Sequence, residues 1–307
     1  MAGSPFDARL EQAVTRGDIL RTHVLRPTWH FVTPADIHWM LALTGPRVKR
    51  TMASYMGRLG LDAKTSSRSI AILERVLEGR ALTRADLGTA LARRGIALKG
   101  TALAMLMMQA ELDAVICSGA YAGRHLTYSL LDERAPASTA GRVLLDRPSR
   151  DEMVAELVQR YFQSHGPATT RDFAWWSGLT MADAKRGLEI VRGTPADVEG
   201  LTYWTVGREP AETRAARVHL LPIYDEYIVA YRDRAAVPHR SERLSPLASG
   251  LTFQHALVVN GQIAGTWKVR RSRTGIAIQP IPRRTLTRPE ARSLSTAVTA
   301  CEEFFRG

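Results

Sequence analysis

The sequence predicts an α+β fold, and three observations predict it. Residues 82–131 read as helix, short turn, second helix and two-stranded hairpin. The same order returns over residues 169–206. Near residue 217 helical periodicity gives way to alternating, strand-like runs. Helix–turn–helix plus hairpin is the order of a winged helix, whose second helix enters a DNA groove while the hairpin touches the backbone. An ordinary helical hairpin capped by a β-ribbon has the same pattern, and two copies in one chain strengthen the winged-helix reading. The full expectation is tandem winged-helix units, the first incomplete, with a β-rich C-terminal part. The expected divisions are 1–46 (remnant of a first winged helix plus connector), 47–131 (helical connector and winged helix), 132–149 (linker), 150–216 (second complete winged helix) and 217–307 (β-rich domain with a terminal helix).

Residues 5–16 read as a helix stopped by Gly17. ILRTHVLRPTWHFV, residues 19–32, is strand-like with a bend at Arg26-Pro27. A helix followed directly by a hairpin is the tail of such a unit without its first helices. Thr33-Pro34-Ala35-Asp36 opens a helix, with proline at its first position and an acid at its third, expected to stop at Gly45-Pro46. Residues 47–59 then give an amphipathic helix whose basic face carries Arg47, Lys49, Arg50 and Arg58. That face can lie along a phosphate backbone or simply be solvated. A further helix is expected near 66–79.

Thr83 and Asp86 have the spacing of a helix cap, with Leu82 and Leu87 at the staple positions. The second helix opens at Gly100-Thr101 and carries Leu103, Leu106, Met107, Ala110 and Ala114 at helical spacing. Ile116, Leu126, Tyr128 and Leu130 flank a turn assigned to Gly119 and Gly123. Residues 132–149 lack periodicity. A helix at 150–164 ends at His165-Gly166-Pro167. Thr169 with Asp172, and Thr180 with Asp183, repeat the cap, and a hairpin turns near Glu199-Gly200. Phe173, Trp175 and Trp176 are expected in the core rather than as a base-stacking platform. Beyond 217, Asn260-Gly261 between apolar runs is a strong two-residue hairpin signal. A second turn is expected over Arg270–Gly275, then the strand IAIQPI and a helix at 288–305.

The 307 residues carry a net charge of +12 and a pI near 10.3, which favours a polyanionic partner, nucleic acid first. A generically basic surface is the plainer account. Cys117 and Cys301 have no metal-ligand spacing, and the opening residues lack an apolar signal run, so a reducing cytoplasm is the expected compartment, without a membrane span. The sequence has no phosphate-binding glycine loop, HExxH, GxSxG or paired zinc-ligand cluster. No cofactor and no metal are therefore expected.

Two constellations stand out. Lys268, Arg270, Arg271 and Arg273 fall on one hairpin, where each cation set on a phosphate steepens the salt dependence of binding. An exposed turn without a partner is the alternative. In Leu25–Val32, strand alternation would put Arg26, Thr28 and His30 on one face, an arginine to hold an anion beside a group that exchanges protons near neutral pH. A lone strand histidine is more often a structural group.

The runs RTHVLRPTWHFVTPADIHWMLALTGPRV, YFQSHGPATTRDFAWWSGLT, LLPIYDEYIVAYRDR and NGQIAGTWK together resemble the AlkZ-like winged-helix DNA glycosylases, from about residue 8 to 305. The resemblance implies three tandem winged-helix units plus a β-rich part, and hydrolysis of the N-glycosidic bonds of alkylated or crosslinked purines without metal or cofactor. It implies that Arg26, Thr28 and His30 line the active site, with His30 and then Asp225 as the catalytic choices; Asp225 tied to Arg232 or Arg234 is the structural alternative. The family's catalytic Gln-x-Gln or Gln-x-Asp signature is missing. Gln12 is the only glutamine before His30, and the chain is expected to begin some tens of residues late, with activity weak or absent. The expected partner is double-stranded DNA, alkylated or crosslinked, bound by a monomer at the nucleoid. A non-catalytic winged-helix DNA-binding protein or regulator is the competing reading.

Overall fold

The computed structural model describes residues 5–123, 125–136, 148–207, 217–232, 234, 254–272 and 275–306. The chain forms two compact units, each assembled from separated stretches. One comprises Arg9–Arg160 with Ser177–Arg192; the other comprises Met1–Ala8, Tyr161–Trp176 and Gly193–Gly307. Among the described residues, no helix is long and apolar enough to cross a membrane.

α1 (Pro5–Arg16), which the first unit holds from Arg9 on, leads into an antiparallel hairpin of β1 (Leu20–His23) and β2 (Trp29–Val32), in register Leu20↔Val32, Thr22↔His30 and His23↔Trp29. Next comes α2 (Pro34–Arg58), which runs straight through Gly45-Pro46 and corrects the expected stop. A proline inside a helix costs about 3 kcal/mol. Here Leu41, Leu43 and Thr44 before it and Val48 after it are all buried, so packing on both sides of the proline offsets the lost backbone bond. Asp62 caps α3 (Ala63–Leu77), accepting from the Thr65 N–H at 2.7 Å.

β3 (Leu82–Thr83), α4 (Arg84–Ala92), α5 (Gly100–Leu112), β4 (Ile116–Ala122) and β5 (His125–Leu130) follow in the expected order. Thr83 and Asp86 form a reciprocal capping box, and Leu82 packs on the cluster that buries Leu87. Leu103, Leu106, Met107 and Ala110 of α5 join Leu73, Leu77, Leu87, Leu91 and Ile116 in one core. The strands pair in the order β3-β5-β4. Gly119 is not in the turn. It lies within β4 at a break in register between Ser118 and Tyr121, and a Cβ there would sit 2.5 Å from Thr127 Oγ1. Close approach of two strands explains this glycine better than turn geometry. Next to it Cys117 is fully buried, and burial pushes its thiol up to about 12.

Leu131–Arg134 forms a short helix, α6, that runs into the stretch expected to be a linker, 132–149; residues 137–147 lie outside the described set. Then α7 (Arg150–His165) begins in this unit and ends in the other. Arg160 of α7 bonds Asp36 at 2.9 Å and lies over the Trp39 ring of α2, fixing one helix to the other. α8 (Thr170–Ser177) and α9 (Met181–Val191) follow, with reciprocal Thr169–Asp172 and Thr180–Asp183 caps.

In the second unit, Tyr161, Phe162 and Phe173 are buried together, ring centroids 5–6 Å apart, with Trp176 against them. Trp175 departs from the expected core. It is 42% exposed, and its indole N–H donates to the Val229 carbonyl at 3.1 Å. β6 (Thr194–Val198) and β7 (Leu201–Thr205) form the expected hairpin. The C-terminal sheet has the order β11-β10-β9-β8, built from β8 (Val218–Leu221), β9 (Ala256–Val259), β10 (Gln262–Ser272) and β11 (Gly275–Pro282). All four residues of β9 are buried because both faces of the sheet are covered. Ile228, from α10 (Glu226–Val229), packs with Ala256 and Val258, while Leu294 and Ala297, from α11 (Arg288–Arg306), pack with Leu257 and Val259. Glu226–Val229 was expected to be β-rich. Pro222 ends β8 and Asp225 caps the turn that follows, so the run coils into α10 instead. Asn260-Gly261 turns with positive φ at both residues, as its hairpin type requires. Beyond it, β10 extends to Ser272, so Arg270 and Arg271, expected in a turn, are strand residues.

Candidate functional site

The β1–β2 hairpin gathers the densest set of unusual polar groups. Its turn is tight: Leu25 has φ +66°, and the Thr28 N–H donates to the Arg26 carbonyl at 2.7 Å. Arg26 and Thr28 therefore sit in the turn, and strand alternation does not put them on one face with His30. Contact replaces alternation. Thr28 Oγ1 lies 3.0 Å from His30 Nε2. Burial, then the charge of Arg26, then that of His23, lower His30 from 6.5 to about 4, so its imidazole is neutral at pH 7.

The hairpin is fixed from three sides. Ser118 of β4 accepts from the Arg21 N–H at 2.8 Å, and Thr44 of α2 accepts from the buried Leu25 N–H at 3.1 Å. The third anchor, Glu111 of α5, was missed in the sequence. Its carboxylate is fully buried, bonds His23 Nδ1 and accepts from the Trp29 indole N–H at 3.4 Å. Arg21 covers the Trp29 ring at 4.2 Å, and Trp29 and Phe31 are 45% and 49% exposed. The signal was present: Glu111 is the one charged residue in GTALAMLMMQAEL.

Of the cations expected on α2, Lys49 is paired with Asp113. Arg47 and Arg50 line a cleft of about 230 Å³ with Arg150 and Asp183. Arg150 donates to Asp183 at 2.7 Å; burial opposes the Asp183 charge, but the bonds from Arg150 and Thr180 hold its carboxyl below the usual range. The cleft keeps two arginines, Arg47 and Arg50, beyond that pair.

Asp225 belongs to the other unit. It is not tied to Arg232 or Arg234: its carboxylate caps α10, accepting from the Tyr227 N–H at 2.9 Å. The Arg232 N–H goes to Asp172, and Arg234 Nε goes to the Ile228 carbonyl. On β10, Lys268 and Arg270 share one exposed face, where Arg270 Nε donates to Gln279 at 2.8 Å. Arg271 points to the other face, over the Phe305 ring at 5.9 Å. Arg273 lies outside the described residues.

Small helical units joined to antiparallel ribbons define a mixed α+β protein. The chain belongs to the AlkZ-like DNA glycosylase family, whose model matches residues 4–304. Among solved structures it is similar to the DNA glycosylase AlkZ of Streptomyces sahachiroi, with a TM-score of 0.76 and 18% identity, over 99% of this chain and 83% of that one. At that identity the likeness speaks for the fold. No curated protein matches the chain.

Proposed function

We propose that the chain is a tandem winged-helix protein that binds double-stranded DNA and hydrolyses the N-glycosidic bonds of alkylated or crosslinked purines. The observation that carries this reading is the neutral His30, bonded to Thr28 and flanked by Arg26, in a chain of this family. Alkylation at purine N7 puts positive charge on the base and weakens its bond to the sugar. The glycosidic electron pair leaves with the purine, and water adds to the sugar carbon. A neutral imidazole beside a hydroxyl offers that water a hydrogen-bond acceptor and a route for its proton. Arg26 and the Arg47–Arg50 cleft hold phosphates, and Lys268, Arg270 and Arg271 add phosphate contacts that carry no sequence information. A bulky crosslinked base is better read in an open cleft than extruded into a tight pocket. The protein works as a monomer on nucleoid DNA in the cytoplasm, without cofactor.

A second reading, binding without catalysis, draws on the absent Gln-x-Gln and Gln-x-Asp signature and on Asp225 being engaged as a cap. Incubation with duplex carrying N7-methylguanine, scored for abasic sites, separates the two. Abasic sites that vanish in His30→Ala support hydrolysis. Tight, salt-dependent binding without abasic sites supports the second reading.

A further inference from the structure

We propose that Glu111 is the positioning residue of the hairpin site, clamping the base of the turn that carries Arg26 and Thr28 and leads into His30. This rests on the reading of His30 as part of the functional site. His23 and Trp29 are directly opposed in the β1–β2 ladder, and theirs is the last pair before the chain turns. Glu111 Oε2 takes a bond from each, so one carboxylate oxygen spans the closing pair and joins both strands to α5. The rings of His23 and Trp29 sit 4.9 Å apart above it.

Stability alone is a poor account of this group. A carboxylate with no exposed surface costs several kcal/mol to desolvate, and replacing it by an apolar side chain is often neutral or favourable where both partners change together. Its other oxygen, Oε1, is buried with no hydrogen-bond partner, and so is Thr22 Oγ1 on the adjoining strand position. Buried, unsatisfied polar atoms persist where geometry is worth more than burial. The geometry kept here is that of the turn. Once the closing pair is clamped, Thr28 stays within reach of His30 Nε2, and His30 stays half-buried next to Arg26. Glu111 itself has no exposed surface; it acts through His23 and Trp29.

The charged and titratable groups that act on His30 are Arg26 in the turn and His23 on β1; Glu111 on α5 bonds His23, and Arg21 lies over the Trp29 ring. Loss of the clamp lets the turn open and rehydrates His30. Burial is the largest cause of its low value, so rehydration moves it upward.

The test follows the His30 ring signal by NMR across a pH titration, assigned by its loss in His30→Ala. The wild-type ring is expected to titrate near 4. In Glu111→Ala it is expected to rise by about one unit or more toward its free value. Leu103→Ala, on the side of α5 facing Gly88, serves as the control: it lowers stability without moving His30. If Glu111→Ala does not fold, Glu111→Gln, which weakens the bond to His23 at unchanged size, is read the same way. A His30 value that stays near 4 in the Glu111 variant, or that rises as much in Leu103→Ala, overturns the proposal. The abasic-site assay on His30→Ala reports separately on the functional reading. Unchanged base release there removes the reading of His30, while the titration still decides what Glu111 does.

Discussion

Two arginine-bearing hairpins invite comparison. The β1–β2 hairpin is short and held down: Ser118, Thr44 and Glu111 reach it from three other elements, and Leu20, Thr22 and His23 are buried. The β10–β11 hairpin is long, and its cations lie on exposed strand, Arg270 braced only along its own ribbon on Gln279 and Arg271 over Phe305. Both present positive charge, but only the first fixes a titratable group at hydrogen-bond distance from a hydroxyl. Charge needs proximity to a phosphate and tolerates a mobile support. Holding an imidazole at hydrogen-bond distance from a hydroxyl needs placement to a fraction of an ångström, and the buried polar anchors gather on that hairpin.

The sharpest way to break the comparison is activity. His30→Ala is expected to lower release of N7-methylguanine about 100-fold in single-turnover assays, the scale of a lost acid–base group. The paired change Arg270→Gln and Arg271→Gln is expected to leave that rate at saturating DNA nearly unchanged. Next comes the anchor on α2. Thr44→Val removes the acceptor of the buried Leu25 N–H, and urea unfolding is expected to show a loss of about 1–3 kcal/mol. Arg270→Ala on the open hairpin is expected to stay within about 0.5 kcal/mol of wild type.

Acid separates the two regions by pH window. Between 6.5 and about 4 the unfolded chain takes up a proton at His30 that the folded chain refuses, so stability falls as pH falls through that range. The loss is at most about 3 kcal/mol, and His30→Asn should abolish it. Beside the C-terminal sheet, Arg284 holds Glu290 at about 2 with paired bonds of 2.8 Å. Its contribution is complete above 4.5 and is lost as pH falls toward 2. Urea midpoints against pH for Glu290→Gln should converge with wild type only at the acid end. The smallest effect is salt. If the open hairpin sits on DNA, removing Arg270 and Arg271 should flatten the log–log salt dependence of binding by about two units. An unchanged slope removes that ribbon from the interface.

Local rules carried the parts of the fold that local rules govern. Thr83–Asp86, Thr169–Asp172 and Thr180–Asp183 each announce a helix start by a hydroxyl and a carboxylate three residues apart, and each forms its reciprocal cap. Asn260-Gly261 announces its turn in the same way. Where the outcome depends on partners distant in sequence, the reading failed. Gly45-Pro46 looks like a stop until the burial of α2 on both sides is known. Gly119 looks like a turn until Thr127 is seen against it. Trp175 looks like core, yet it lies on the surface. At the candidate site, His30, Thr28 and Arg26 were legible as residues, but their contact arises from a turn and not from strand alternation. Glu111 was hidden because its partners are 88 and 82 positions away.

The burial of Cys117 has a consequence for how this chain meets electrophiles. Thiolates are the side chains that such compounds consume first, and a thiol held near 12 inside β4 is almost never ionised in the cell. A sulfur in that state can sit beside the β1–β2 hairpin through repeated exposure and leave the protein unmodified.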